Sequence, residues 1–172
     1  MADLGATETI TIGQGGQGII SDGNGPSGTN STFGSHVTSY GGRGGDDNDS
    51  DFAQGSTPFG RGDLEPSSPA TTSNHRDQFA FSIFSGGYGG RQQGANSSGG
   101  NAVFGGAGGG NAGKDNSDDA PGGTSIIAGN GGKGNRGNAD AVGGSTPGGG
   151  GGGAEDGRSG SGGDGECWVL IF

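Results

Sequence analysis

The sequence predicts a mainly β and irregular fold with essentially no α-helix, in which short strands frame extended glycine-rich segments packed side by side in the manner of polyglycine II. Three observations lead there. First, Gly122 to Gly153, GGTSIIAGNGGKGNRGNADAVGGSTPGGGGGG, is too rich in glycine for a helix or an ordinary strand, since each glycine would cost roughly 0.5–1 kcal/mol relative to alanine. Second, Gly131, Gly134 and Gly137 recur every third residue, as do Gly129 and Gly132, which on a helix of three residues per turn makes two glycine columns and one side-chain column. Such a helix has no internal hydrogen bonds, so neighbours must satisfy its amides and carbonyls, and only glycine faces let them approach closely enough. Third, the unit repeats: Gly99–Gly109 reads GGNAVFGGAGG and Gly122–Gly132 reads GGTSIIAGNGG, an offset of 23 residues from 99 to 122. Degenerate echoes at Gly28–Gly34 (GTNSTFG) and Ser56–Gly60 (STPFG) again place an apolar residue before glycine. Repetition of this kind predicts stacked units that bury their apolar pairs against one another.

The remaining elements follow in chain order. Residues 1–7 read as a leader or docking segment and 8–172 as a single glycine-rich domain with a polar insertion at about 46–77. Glu8–Gly13 (ETITIG) alternates Ile10 and Ile12 with threonine, the pattern of a strand with one buried face. Gly13, Gly16 and then Gly15, Gly18 open a first period-three segment. Ser31–Tyr40 (STFGSHVTSY) reads as a second strand interrupted by Gly34, followed by Gly41–Gly45 (GGRGG). Asp46 to Asn74 is acidic and then rich in proline and serine, the composition of a loop. Gln78–Phe84 (QFAFSIF) puts Phe79, Phe81 and Ile83 on one face of a strand. Cys167–Phe172 (CWVLIF) is apolar on both strand faces, which predicts a central place in a small sheet beside Glu8–Gly13 and a fold that fails when the segment is removed.

Composition narrows the function. With 49 glycines and 24% apolar residues in 172, a conventional core cannot be filled. The repeats and the apolar segments near both ends argue for order over the disorder that such a composition otherwise suggests. Collagen is excluded, because the glycine period is not sustained and there are only 6 prolines. The net charge of −10, with 8 Lys and Arg scattered singly, offers no stripe for phosphates and argues against nucleic acid. One cysteine, Cys167, can form no internal disulfide and reads as a small buried hydrophobe. The longest apolar run is far shorter than the ~20 residues that span a bilayer, so no membrane insertion is expected.

No catalytic, cofactor or metal site is predicted. His36 and His75 are isolated from any triad or ligand context. Asp47, Asp49 and Asp51 have the spacing of a calcium loop's start, but Phe52 stands where its turn glycine belongs and Pro58 where its glutamate belongs, so the reading taken is a solvated acidic loop. Arg61-Gly62-Asp63 spells an integrin-binding tripeptide of a length that arises by chance in glycine-rich chains. GxGxxG-like spacings recur throughout and lack the strand, helix and acidic partner of a nucleotide site.

The order of these features resembles the glycine-rich domain of bacteriophage tail-fibre and adhesin-type structural proteins. The resemblance rests on Thr9–Gly18, on Phe33-Gly34-Ser35 within Ser31–Tyr40, on the paired GGNAVFGGAGG and GGTSIIAGNGG units, on Ser145-Thr146-Pro147 before polyglycine, and on Gly162–Phe172 (GGDGECWVLIF). It covers about Glu8–Tyr40 and Tyr88–Phe172, and the acidic middle departs from it. It implies a non-enzymatic virion protein made in the host cytoplasm. The expected role is that of a tail-fibre tip or adhesin presenting Asp46–Asn74 and Asp115–Ala120 to a bacterial surface receptor. The alternative is a capsid or tail decoration or joining protein without receptor binding. Other virion proteins are the implied partners, with a homotrimer or docking on a trimeric partner as the expected assembly. An ice-binding bundle is disfavoured, because Lys133 and Arg136 interrupt the side-chain column.

Overall fold

Segments that cannot bond to themselves bond to one another, and they do so at every third residue. The computed structural model describes residues 7–20, 25–42, 44, 81–82, 87, 89–90, 98–111 and 120–170. The clearest case is the extended column 106–111. Ala107 and Gly110 donate backbone N–H bonds to the carbonyls of Gly129 and Gly132, while the carbonyls of Gly106 and Gly109 accept from Gly87 and Gly90, all at 2.7–2.9 Å. The carbonyls of Ala107 and Gly110 accept from Gly150 and Gly153, and Gly108 donates to Gly100 and accepts from Gly123. One column is thus bonded to five neighbouring stretches, three of them through residues three apart and the other two through Gly108. A period of three requires the threefold backbone of a polyproline-II-type helix, because a strand would repeat every two residues.

Reading the bonds along the chain gives an up-and-down bundle. Columns 13–19, 40–42 with 44, 87 with 89–90, 106–111, 129–135 and 149–154 run one way, and 25–30, 98–102, 120–125, 141–145 and 158–165 run back. The columns 106–111, 129–135 and 149–154 bond to one another and lie innermost, with Gly108, Gly109, Gly110, Gly129, Gly132, Gly134, Gly149 and Gly152 buried. Their core is backbone. Among the described residues the buried hydrophobic side chains are Ala102, Ala107 and Ala120, each at most 1% exposed. A Cβ placed on Gly106 would fall on the Gly148 carbonyl oxygen, one on Gly109 on that of Gly151, and one on Gly131 on that of Gly108. The hydrogen that replaces each Cβ is therefore aimed at a neighbour's carbonyl, a Cα–H···O contact added to the N–H ladder.

Five short strands frame the bundle. β1 (Ile10–Thr11), β2 (Ser31–Phe33) and β3 (Val37–Ser39) form an antiparallel sheet in the order β1-β2-β3, with Ile10 opposite Phe33 and Thr32 opposite Thr38. β4 (Phe81–Ser82) pairs in parallel with β5 (Asn101–Ala102). Among the described residues there is no helix.

Several expectations change. Ser31–Tyr40 is a hairpin and not one interrupted strand: Gly34 has φ +51°, a turn conformation that side chains resist, and it folds β3 back on β2. The segment Glu8–Gly13 forms a strand only at Ile10–Thr11, and its partner is β2 rather than the last residues of the chain. Residues 167–170 form no strand, and Trp168 and Leu170 are 81% and 78% exposed. β2 takes one side of β1, and the column 158–165 meets the first column just beyond the strand, at Gly165 N–H to the Gly13 carbonyl, without continuing into a ladder along β1's other side. The two ends of the domain are joined there through glycine segments. Of Gln78–Phe84, Phe81–Ser82 is strand and the remainder lies outside the described residues, as do residues 46–77 and 171–172.

The joint between 13–19 and 158–165 also uses side chains. Ser159, Ser161 and Asp164 accept from the backbone N–H groups of Ile19, Gly18 and Gly15 at 2.9, 3.0 and 2.9 Å. In the other direction Ser159, Gly162 and Gly165 donate to Ile19, Gly16 and Gly13.

Two experiments check this construction by urea unfolding. Gly109→Val should destabilise by about 3 kcal/mol, because the columns must separate, whereas Gly137→Asn, at φ +65° with nothing within 4 Å of its Cβ position, should change stability by less than ~1 kcal/mol because asparagine tolerates that conformation. Ser161→Ala strands the buried Gly18 amide and should cost about 1–3 kcal/mol; Ser161→Thr, which keeps a hydroxyl, should lose less.

Candidate interaction surface

The turns that join the columns collect at two ends, and the two ends differ chemically. At one end lie the turns through Val103–Gly105, Ile126–Ala128 and Thr146–Gly148, the β2–β3 turn, and the chain leaving Gly165. The bonds Ala107 to Gly129, Gly129 to Pro147, Gly148 to Asp164 and Gly165 to Gly13 place these turns side by side in a row. The repeat units are stacked as expected, Ala102 N–H bonding to Thr124 and Ile126 N–H to Ala102, so the second copy lies in register beside the first.

The apolar pairs are not buried by that stacking. Phe104 is 52% exposed, Ile126 72% and Ile127 64%. The cause is local and specific. Polar residues beside each pair take the hydrogen bonds at the neck of the turn: Ser125 Oγ donates to the Gly105 carbonyl at 2.8 Å and accepts from Ala128 N–H at 3.0 Å, and Asn130 Oδ1 accepts from Ser125 N–H at 2.8 Å. Asn101 Oδ1 takes Thr124 N–H, and Ser145 Oγ takes Asn130 N–H. These bonds close the turn over a backbone-filled interior that has no volume for isoleucine or phenylalanine. The pairs therefore point outward, and at the same end Ile10, Ile12, Val37, Trp168, Val169 and Leu170 are also exposed. Monomer surfaces rarely carry so many large apolar side chains together.

The other end is polar. Arg136 Nε lies 3.6 Å from Glu155 Oε2, Asn135 Nδ2 donates to the Asp140 carbonyl, and Asp140 Oδ1 accepts Arg158 N–H at 2.9 Å. Arg158 Nε reaches the Gly18 carbonyl at 3.3 Å. An exposed ion pair such as Arg136–Glu155 contributes ~1 kcal/mol or less, so this end is held by its turns. Asn111 and Ala120, which flank residues 112–119, lie at this end, as does Gly44, from which the chain leaves toward the insertion.

Of the chemically suggestive residues, Asp47, Asp49, Asp51, Arg61, Asp63 and His75 lie outside the described residues. His36 Nε2 is 3.2 Å from Glu8 Oε1, with its ring centroid 6.1 Å from that of Phe33. That pair pins the β2–β3 turn against the segment entering β1. Cys167 is half-buried. Among the described residues no group of His, Cys, Asp or Glu is placed to hold a metal ion, and no helix is long and apolar enough to cross a membrane.

The architecture is that of a domain whose core is glycine backbone and whose large side chains are displaced to its ends and flanks. Residues 2–171 match the glycine-rich domain family, and the chain belongs to it. No curated protein and no solved structure matches the chain.

Because the apolar pairs pack against no interior, Ile126→Ser together with Ile127→Ser should alter unfolding free energy by no more than about 0.5 kcal/mol. The same change should lower binding of a hydrophobic fluorescent dye. Calorimetry and dye titration on the same samples check both halves.

Proposed function

We propose that this glycine-rich domain is a non-enzymatic structural protein of a bacteriophage virion, serving at a tail-fibre tip or as an adhesin. The observation that carries the reading is the bipolar bundle, in which rigid glycine columns hold an apolar end and a polar end apart. Columns of 6–7 residues at ~3.1 Å per residue separate the two ends by about 20 Å. Such a unit can be anchored by one end while the other meets solvent and a target. In this reading the apolar end docks within the virion. Asp46–Asn74 and Asp115–Ala120 are the segments proposed to meet a bacterial surface receptor, and the described residues Gly44, Asn111 and Ala120 lie at the polar end. Loops on a rigid frame are where binding residues concentrate. A homotrimer, or docking on a trimeric partner, completes the proposal.

The second reading is a decoration or joining protein of the capsid or tail. It is favoured by the same apolar end, which suits burial against another virion protein and needs no receptor.

Antibody-labelled particles viewed in negative stain separate the two. Label at fibre tips, together with slowed phage adsorption when host cells are preincubated with the purified protein, is the expected result. Label on the capsid with unchanged adsorption would remove the adhesin reading.

A further inference from the structure

We infer that the apolar end is where copies of this chain join one another, each copy lending residues 167–170 as an added strand to the sheet β1-β2-β3 of the next. The inference deepens the homotrimer of the proposed function by giving it an interface at the apolar end, and it does not depend on the receptor role.

Area is the first argument. With ~150–250 Å² for each aromatic side chain and ~60–120 Å² for each aliphatic one, the exposed fractions of Ile10, Ile12, Val37, Phe104, Ile126, Ile127, Trp168, Val169 and Leu170 leave roughly 450–800 Å² at this end. The largest apolar patch on a typical monomer is about 300–600 Å², and a stable interface buries about 800 Å² per partner. The upper end of the patch's range is thus of interface size.

Self-complementarity is the second. Residues 166–170 leave the bundle at Gly165 outside any strand, with Trp168 and Leu170 alternating against Cys167 and Val169. At the same end β3 is an edge strand among the described residues, bonded to β2 on one side, and Val37 on it is exposed. An exposed edge accepts an extended apolar segment through backbone hydrogen bonds. Giver and acceptor lie on one end of one chain, so a closed ring in which each copy both gives and receives covers the β3 edge of every copy.

Charge decides against the other occupants. The charged groups described at this end are acidic, Glu8, Asp164 and Glu166, with His36 beside Glu8, while Lys133, Arg136 and Arg158 belong to the opposite half. An anionic lipid surface would be repelled. Between copies, Glu8 already faces His36 and Asp164 already accepts Gly15 N–H, and the repulsion that remains falls off over ~8 Å at physiological ionic strength. Joining of copies should therefore strengthen with added salt, whereas a partner with a basic rim would be held more weakly.

The test is multi-angle light scattering on the full chain across protein concentration and salt, with emission of the single tryptophan, Trp168, recorded in parallel. The expected result is a multiple of the single-chain mass that grows with salt, accompanied by a blue shift as Trp168 leaves water. Trp168→Asp with Leu170→Asp should weaken association about tenfold or more, leaving thermal unfolding of the separated chain unchanged. Ile20→Asp, an exposed apolar position at the opposite end, should leave the mass as it was. A single-chain mass at every concentration and salt would overturn the inference. So would a multimer in which Trp168 emission stays that of a water-exposed indole, or one that survives the double substitution.

Discussion

The constraint on which everything else depends is that the backbone of this protein is its own core. Each column of three residues per turn leaves its N–H and C=O groups pointing sideways, and folding succeeds only when another column stands close enough to take them. The approach is so close that a Cβ on Gly99, Gly106 or Gly131 would lie 1.8–1.9 Å from a neighbouring carbonyl oxygen. Glycine is here for what it lacks. The entropy that each glycine loses on folding is offset by hydrogen bonds made in several directions at once, as at Gly108, which donates to Gly100 and accepts from Gly123.

A core of that kind dictates where side chains go. An ordinary domain folds because apolar side chains leave water together; here, among the described residues, the buried hydrophobic side chains are no larger than those of Ala102, Ala107 and Ala120. Larger residues are displaced to the flanks and ends, and small polar ones supplement the ladder where columns meet, as Ser159, Ser161 and Asp164 do against the first column. The apolar pairs of the two repeats sit at the turn tips because Ser125, Asn130 and Ser145 close the turns behind them. Surface chemistry is consequently uncoupled from stability to an unusual degree. Turn residues can change without entering the core, which suits a frame whose task is to present surfaces.

The same logic makes the two ends unlike. Columns that begin and end at shared levels gather their turns into two faces, and the sequence between columns determines what each face displays. One face received Phe104, Ile126, Ile127, Pro147 and the departing Trp168–Leu170; the other received Asp140, Glu155, Asp156 and the Arg136–Glu155 pair. Anchoring and presentation can then occupy separate ends of a unit about 20 Å long, a length set by the rise of the helix.

What the sequence by itself determined is the geometry of each column and the need for neighbours. Spacing at Gly129 and Gly132 and at Gly131 and Gly134 reports a threefold backbone with two faces bare of side chains, although Gly137, next in the series, is a turn at φ +65°, and the offset of 23 residues between units anticipates the stacking of Ala102 beside Thr124 and Ser125. Those are local properties, carried by residues within a few positions of one another. Which column stands beside which, and so which turn reaches which end, was decided by the tertiary structure. Gly34 could be read as a break in a strand until pairing of Thr32 with Thr38 made it the turn of a hairpin. The run Cys167–Phe172 looked central because apolar residues usually seek an interior, and that inference fails for Trp168 and Leu170 because the interior was already filled by backbone. Hydrophobicity along a chain predicts burial only where the fold leaves volume for a side chain, and whether it does is settled by the distance between columns, which no single segment contains.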